Sequence, residues 1–404
     1  MKVLKKIVII LFLSLIAIQA PFVYRRYKFG QLREKIDEIA AVSQNTPKPA
    51  NSNFAEYKGI IHAHTSLGGH STGGFDELIE AANLNGLDFV LMTEHFSPNY
   101  DTSSLTLNGT FGKTLFIGGN EIDTSDADRF LMIPGSADAP GLARMPTEQV
   151  IEKLHAENRL VLVTYPEKLR SWNASFDGVE VFSLHTAAKQ LNPFVAFFDL
   201  IWSGSAYPEL VFASGFRRPD ANLSKYDLTA ATRKTSLFSG TDAHSNIGLH
   251  LFGDDAGHKW ITLKIDPYAT MFGIVRTHVL IANDKPLSRE ILIENIRQGR
   301  YFVGLDVIGD TTGFQFWAES AQGNGYMGDV VSLGPKLTLR STSPISARFV
   351  LLKDGAVVAN GSGSNELSFV PSEPGTYRVE VYQNDLGAPF DAMPWIISNP
   401  IYVR

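Results

Sequence analysis

Cysteine is absent from all 404 residues, which excludes a disulfide framework and any thiolate metal site. The chain also lacks an internal repeat and any extended low-complexity tract. Positive charge is scarce where a nucleic-acid groove would need it. The formal charge is −6, but residues 1–48 hold nine Lys/Arg against three Asp/Glu, which leaves −12 for everything after them. A body of that sign is a poor phosphate-backbone binder, so nucleic acid is not expected as a main partner. Absence of cysteine is compatible with export without proving it.

Long apolar runs are equally scarce, with one exception. Ile7 to Tyr24 is uncharged, behind Lys2, Lys5 and Lys6 and ahead of Arg25, Arg26 and Lys28. At ~1.5 Å per residue a helix of this length just spans a bilayer core. A cleavable signal is the rival reading, with Ala20 as the cut position. Pro21 directly after it and the basic cluster beyond favour an uncleaved anchor. Residues 1–30 are therefore expected to be a signal anchor, with the body on the extracytoplasmic side. Residues 31–53 read as a short amphipathic helix, QLREKIDEIAAV, followed by a linker rich in Pro, Asn and Ser.

With 44% apolar residues, the remainder suffices for one large domain and a smaller one. From Phe54 onward, β-like runs alternate with amphipathic helical stretches such as FDELIEAANLNG and PTEQVIEKLHAENR. Alternation of this kind implies parallel strands with crossover helices. SREILIENIRQG reads as a helix with Ser288 as N-cap and Gly299 at its stop. Beyond about Asp310 the helical signal ends, and short strands with turn residues follow, including Asp354-Gly355 as a hairpin turn. The expected layout is an α/β barrel domain over 54–309 and a small β-sandwich over 310–404.

What the chain does have is histidine in clusters. His62 and His64 stand two apart at the end of GIIHAH, and His70 follows six residues later. His95 closes DFVLMTEH, and Asp242 and His244 close TSLFSGTDAH. On a strand, residues two apart face the same side, so each pair can share a cation. Imidazole mixed with carboxylate suits zinc, manganese or iron. Glu121 and His185 also sit at or near strand ends, where a (β/α) barrel carries its active site. His155, His250, His258 and His278 lack that placement and read as ordinary core or surface residues. Glu94, next to His95, is expected on the opposite face in a supporting role.

Two further motifs are weighed and set aside. Gly69-His70-Ser71-Thr72-Gly73 matches the G-x-S-x-G nucleophile elbow, but no strand runs directly into the serine. Asp123, Asp126 and Asp128 lack the glycine and terminal glutamate of an EF-hand and read as a solvated acidic turn.

Taken in order, these residues resemble the PHP family of metal-dependent phosphoesterases, named for polymerase and histidinol phosphatase. His62-x-His64 with His70, Thr93-Glu94-His95, the G-x-E carboxylate Glu121 and Asp242-x-His244 correspond to its successive motifs across residues 59–244. DGVEVFSLH, RTHVLI and the tail PWIISNPIYVR further resemble the anchored, sandwich-tailed branch called CehA/McbA-like metallohydrolases. The resemblance implies a distorted (β/α)7 barrel, two or three divalent ions per chain, and hydrolysis of a small-molecule phosphoester by a hydroxide held between ions. It also implies one departure: Tyr165-Pro166 stands where many members carry His-Pro, so the ligand normally supplied there is missing.

In the leading assignment His62, His64, Glu121 and Asp242 hold one ion, and His70, His95 and His244 hold its neighbour. His185 is a further candidate ligand, and Asp242 and Glu121 are the candidate catalytic carboxylates. Arg217 and Arg218, in the loop before the last barrel strand, are candidate contacts to a substrate anion. Two alternatives stay open: an ester, amide or carbamate hydrolase on the same site, and a non-catalytic anchored binding protein that keeps its metal structurally. Substrate, metal identity and oligomeric state are not encoded in any readable motif.

Overall fold

A computed structural model of the chain describes residues 2–45, 53–246, 248–253, 259–264 and 266–404. The expected anchor and the short helix after it form one continuous helix, α1 (Lys2–Asn45). Pro21 removes a single backbone donor from it. Gly30 costs only about 1 kcal/mol relative to alanine, and the packing that follows offsets this. Phe29, Leu32 and Ile36 are buried in the body and Ile39 packs against the same core, a spacing that lines one helical face. The N-terminal half is long and apolar enough to cross a membrane, and its side chains from Ile7 to Ile18 are largely exposed. The expected linker falls mostly on residues 46–52, outside the described residues.

The body is a mixed α/β arrangement around one large sheet. Its first part uses β1 (Phe54–Ala63), β2 (Phe89–Met92), β3 (Glu94–His95), β4 (Thr114–Ile117), β5 (Asn120–Asp123), β6 (Arg129–Ile133), β7 (Leu160–Val163), β8 (Gly178–Ser183) and β9 (Ser236–Ala243). β1 pairs in parallel with β2 on one side and with β9 on the other. β2 and β3 run on into parallel pairs with β4 and β5. β6 is antiparallel to both β5 and β7, while β7, β8 and β9 pair in parallel. Followed from strand to strand, these pairings return to β1.

Alternation along these strands divides the core in two. Ile61, Leu91, Ile117, Leu131, Leu162 and Phe238 belong to one buried cluster, and their neighbours Ile60, Val90, Phe116, Met132, Val161 and Leu237 to another. The second is shared with α2 (Phe75–Leu84), α3 (Thr147–Ala156) and, after α4 (Leu184–Lys189) and α5 (Pro193–Ser203), with α6 (Asp220–Thr232). The first also takes in Leu292, Ile293 and Ile296 of α7 (Arg289–Gln298). α7 begins where Ser288 accepts from the Ile291 amide and ends on Gly299 at φ 76, an N-cap and a left-handed stop.

β10 (Arg276–Ala282) runs antiparallel to the first half of β1, and β11 (Tyr301–Gly304) antiparallel to β10. The C-terminal strands are β12 (Gln315–Ser320), β13 (Thr338–Lys353), β14 (Ala356–Phe369), β15 (Gly375–Tyr382), β16 (Ile396–Ser398) and β17 (Ile401–Val403). β13 pairs antiparallel with β12, β14 and β15. Asp354 and Gly355, at φ 50 and 85, form the tight turn between β13 and β14 as a two-residue hairpin loop requires. The tail is not set apart from the first part. β16 pairs with β11 as well as β15, and buried Arg378 binds Asp227 of α6 through two bonds of 2.7 Å.

Candidate metal centre

The parallel strands deliver their C-terminal ends to one place, and backbone strain is concentrated there. His62, Tyr165 and Asp242 have φ of 72, 51 and 48, conformations that cost a non-glycine residue about 1–3 kcal/mol each. The pairing of β1 with both neighbours shifts register between Ile61 and Ala63. His62 and His64 therefore do not converge by simple strand alternation, as expected from the sequence. A bulge at His62 turns its ring, and the two imidazoles end with centroids 5.0 Å apart.

Around them four side chains aim one atom each at a common point. Nε2 of His62 lies 3.3 Å from Oε2 of Glu121 and 3.3 Å from Oδ1 of Asp242. Nε2 of His64 lies 3.2 and 3.3 Å from the same two oxygens. Ligands at ~2.0–2.1 Å from a tetrahedral ion stand about 3.3–3.4 Å from one another. All four residues are buried, yet both ring nitrogens of His64 and Oδ1 of Asp242 have no hydrogen-bond partner. Orphaned buried polar atoms cost about 1–3 kcal/mol each. A divalent cation at the shared point would satisfy Nε2 of His64 and Oδ1 of Asp242 together, so the donor set fits a metal.

The electrostatics agree. Burial opposes charge on His62, but Asp242, Glu180 and Glu121 outweigh it and hold its pKa well above the usual value. His64 is likewise buried, and Asp242 and Glu121 raise it to about 9. Glu121 and Asp242 are buried too, yet the two imidazoles hold both carboxyls well below the normal range. The pocket thus demands two positive charges opposite two carboxylates, which a dication bound by neutral imidazoles also provides.

Two further triads share these residues: His64, His95 and His244, and His185, Asp242 and His244. The rings of His64 stack on His244 and His95 at 4.4 and 4.7 Å. Burial lowers the pKa of His95 to about 4, of His244 to about 3, and that of His185 to a lesser degree. Their rings are neutral, as ligands must be. The grouping differs from the sequence-based assignment: His64 joins His95 and His244, whereas His70 reaches the cluster through an edge contact with His95 at 4.8 Å. A cavity of about 310 Å³ opens over the cluster, lined by His70, His95, Arg129, Tyr165, His185, Asp242, His244 and Asn246.

Motif reading missed Glu180 and Arg129, and took Tyr165 only for an absent ligand. Glu180 binds Nδ1 of His62 at 2.9 Å and accepts from Thr164, which leaves Nε2 facing the other donors. Gly240 makes room for it, since a Cβ there would collide with Oε1 of Glu180. An acidic residue inside the apolar run GVEVF was the available signal. Arg129, at the start of antiparallel β6, enters from the same end of the sheet, bidentate to Asp123 at 2.6 and 2.9 Å, 3.3 Å from Glu121 and over the ring of Tyr165 at 5.0 Å. Tyr165 itself donates to Oδ2 of Asp242 at 2.6 Å.

Other sequence-based candidates fall elsewhere. Arg217 and Arg218 line a separate cavity of about 380 Å³, and Arg218 is held by Glu380 at 2.6 and 2.9 Å, so neither borders the histidine cavity. Glu94 faces away as expected and accepts from Thr65 and Thr106. Ser71 lies in a loop and donates to the His244 carbonyl. The acidic turn is only partly solvated: Asp128 is buried, accepting from Arg170 and Thr147. His155 pairs with Asp177 at 3.2 Å. His258 and the side chain of His250 lie outside the described residues.

No known protein family and no curated protein matches the chain in sequence. Solved structures that resemble it include a two-domain protein from Bacteroides vulgatus described as containing a predicted PHP-like metal-dependent phosphoesterase. That match has 13% identity and a TM-score of 0.40, and covers 88% of this chain and 96% of that one. PsfC from Pseudomonas syringae matches at 13% identity and TM-score 0.34, over 59% of this chain and 88% of its own. The lesion-specific endonuclease EndoQ from Pyrococcus furiosus matches at 12% and 0.35, over 61% and 56%. Likenesses this distant determine neither an activity nor a substrate.

Proposed function

We propose that the chain is a membrane-anchored, metal-dependent hydrolase of the PHP type that acts on phosphoesters. The observation that carries this is the convergence of His62, His64, Glu121 and Asp242, in which the His64 ring and Oδ1 of Asp242 lack protein partners. On this reading the returning circuit of strands within 54–309 is the distorted (β/α)7 barrel, 310–404 is the β-sandwich, and 1–30 is the anchor joined through 31–53. This layout matches the CehA/McbA-like branch, with the body on the extracytoplasmic side. The ions are zinc, manganese or iron, two or three per chain.

Bound divalent cations would supply Lewis acidity and bring the pKa of a coordinated water down towards ~7. The protein supplies orientation and charge. Glu121 and Asp242 are the central carboxylates, and His62, His64, His95, His185 and His244 offer neutral nitrogens around them. Glu180 fixes the tautomer of His62, and the Tyr165 hydroxyl locks Asp242 so that Oδ1 faces the pocket. Arg129 brings a guanidinium to the cavity wall, the group best shaped to grip a phosphoryl oxygen. Its charge is shared with Asp123 and Glu121, so a phosphoryl oxygen would compete with these carboxylates for it.

The test pairs metal analysis with two substrates. Full-length protein purified without chelator should carry two or three transition-metal ions per chain and cleave an aryl phosphate, with Arg129→Gln losing phosphatase activity disproportionately. Cleavage of an aryl ester alone would transfer the site to carbonyl chemistry. Bound metal with no turnover of either would favour the binding-protein reading.

A further inference from the structure

We propose that α5 is an in-plane membrane element, whose outer face rests in the headgroup layer of the same bilayer that α1 crosses. The inference builds on the anchor reading above. Phe194, Phe197 and Ile201 are 57, 49 and 58% exposed. Their spacing of three and four puts them on one face of the helix. Large apolar side chains exposed side by side need a cover, and the position of α5 against α1 says which one.

An adjacent face of α5, with Phe194 at its edge, is fastened to a two-turn segment of α1. Phe22 stacks on Phe198 at 4.9 Å and meets Phe194 edge-on at 6.1 Å. Arg25 grips buried Asp199 through bonds of 2.7 to 2.9 Å. Trp202 donates to Gln19 at 2.8 Å and its carbonyl accepts from Arg26. Residues from both ends of α5 thus touch the same stretch, 19–26, of α1. These contacts hold α5 against α1 beside its basic cluster, Arg25, Arg26 and Lys28.

That stretch is where the exposed apolar surface of α1 stops and Arg25, Arg26 and Lys28 begin. If the span ends at Tyr24, Gln19 lies about 7 Å and Phe22 about 3 Å inside that boundary. An interfacial helix buries its apolar face ~5–10 Å into the boundary region, and a tryptophan at this level is a common anchor. The exposed apolar side chains of α5 therefore stand next to the end of the apolar run of α1, with buried Phe22 packed between the two helices. Sequence connects it to the site as well: α5 follows α4, which carries His185.

The test uses the full chain in phosphatidylcholine/phosphatidylglycerol vesicles. Because the chain has no cysteine, single variants Leu11→Cys, Phe197→Cys, Ile201→Cys and Leu228→Cys each accept one nitroxide label. Position 228 is an exposed residue on α6 and serves as the aqueous reference. Collision with oxygen relative to a water-soluble nickel chelate should be highest at 11, and several-fold higher at 197 and 201 than at 228. If 11 is deep while 197 and 201 match 228, α5 stands in water and the proposal fails with the anchor intact. Should 11 also match 228, the anchor reading fails and takes the proposal with it. Protection of 197 and 201 from both reagents that grows with the protein-to-lipid ratio would mean a second copy covers α5, and overturns the proposal.

Discussion

Two places along β1 hold a buried histidine among carboxylates, and they are finished differently. At the start of the strand, His278 of β10 meets Glu56 at 2.6 Å through Nδ1, and Asp306 and Thr311 at 3.2 and 3.0 Å through Nε2. Asp306 also takes Arg276 at 3.2 Å, and Glu56 takes the Gly313 amide at 2.8 Å. Every polar atom there has a protein partner. At the other end of β1, His64 has none for either nitrogen and Asp242 has none for Oδ1. Similar residue types thus make a closed structural network in one case and an open donor set in the other. Buried histidine is not in itself the mark of a site; incomplete satisfaction is.

The sharpest separation should come from Asp242→Asn, which keeps shape but removes the inward charge. Hydrolysis should fall roughly 10⁴-fold, the scale for loss of a catalytic group, while the metal-free protein unfolds within about 1 kcal/mol of wild type. His278→Ala should do the reverse: its carboxylates lose their partner, and denaturant unfolding should show a loss of about 3–5 kcal/mol, with metal content of the folded fraction unchanged. Chelation should lower the unfolding free energy by about 2.7 kcal/mol where the metal had been held at a hundredfold excess over its Kd, equally in wild type and in His278→Ala. Glu180→Gln should weaken metal affinity about 10–100-fold, read by competition with a chromogenic chelator.

The smallest effect is a pH slope. Burial disfavours charge on His278, but Asp306 and Glu56 outweigh it and raise its pKa from 6.5 to about 9. A histidine raised on folding binds its proton more tightly in the native state. Its contribution is therefore fully present below 6.5 and lost as pH rises through about 9. The metal-free protein should lose stability across that window, with His62 and His64 contributing to the same slope, and His278→Gln should reduce it in part. An unchanged slope would mean that the closed network is not held by the protonated ring.

The residues of the open set were legible in the sequence because each lies near a strand end within a short motif. Their geometry was not. His62 reaches the cluster through a bulge and a left-handed backbone, which an H-x-H spacing does not reveal. Glu180, Arg129 and Tyr165 acquire their roles only when β8, β6 and the loop after β7 are brought beside β1 and β9 by long-range pairing. Conversely, Arg217 and Arg218 were attractive as free cations, but the Arg218 charge is taken by Glu380, 162 residues away. Helices with local signals were readable, as Ser288 and Gly299 at α7 illustrate. The continuity of α1 was not, because the packing partners of Phe29, Leu32 and Ile36 are remote in sequence.

That continuity sets how the body sits relative to the N-terminal half of the helix. A helix of 44 residues is about 66 Å long, and its second half is built into the body rather than joined by a flexible tether. On the anchored reading proposed above, the histidine cavity would keep a fixed height and heading above the membrane, a constraint that a flexible tether would not impose.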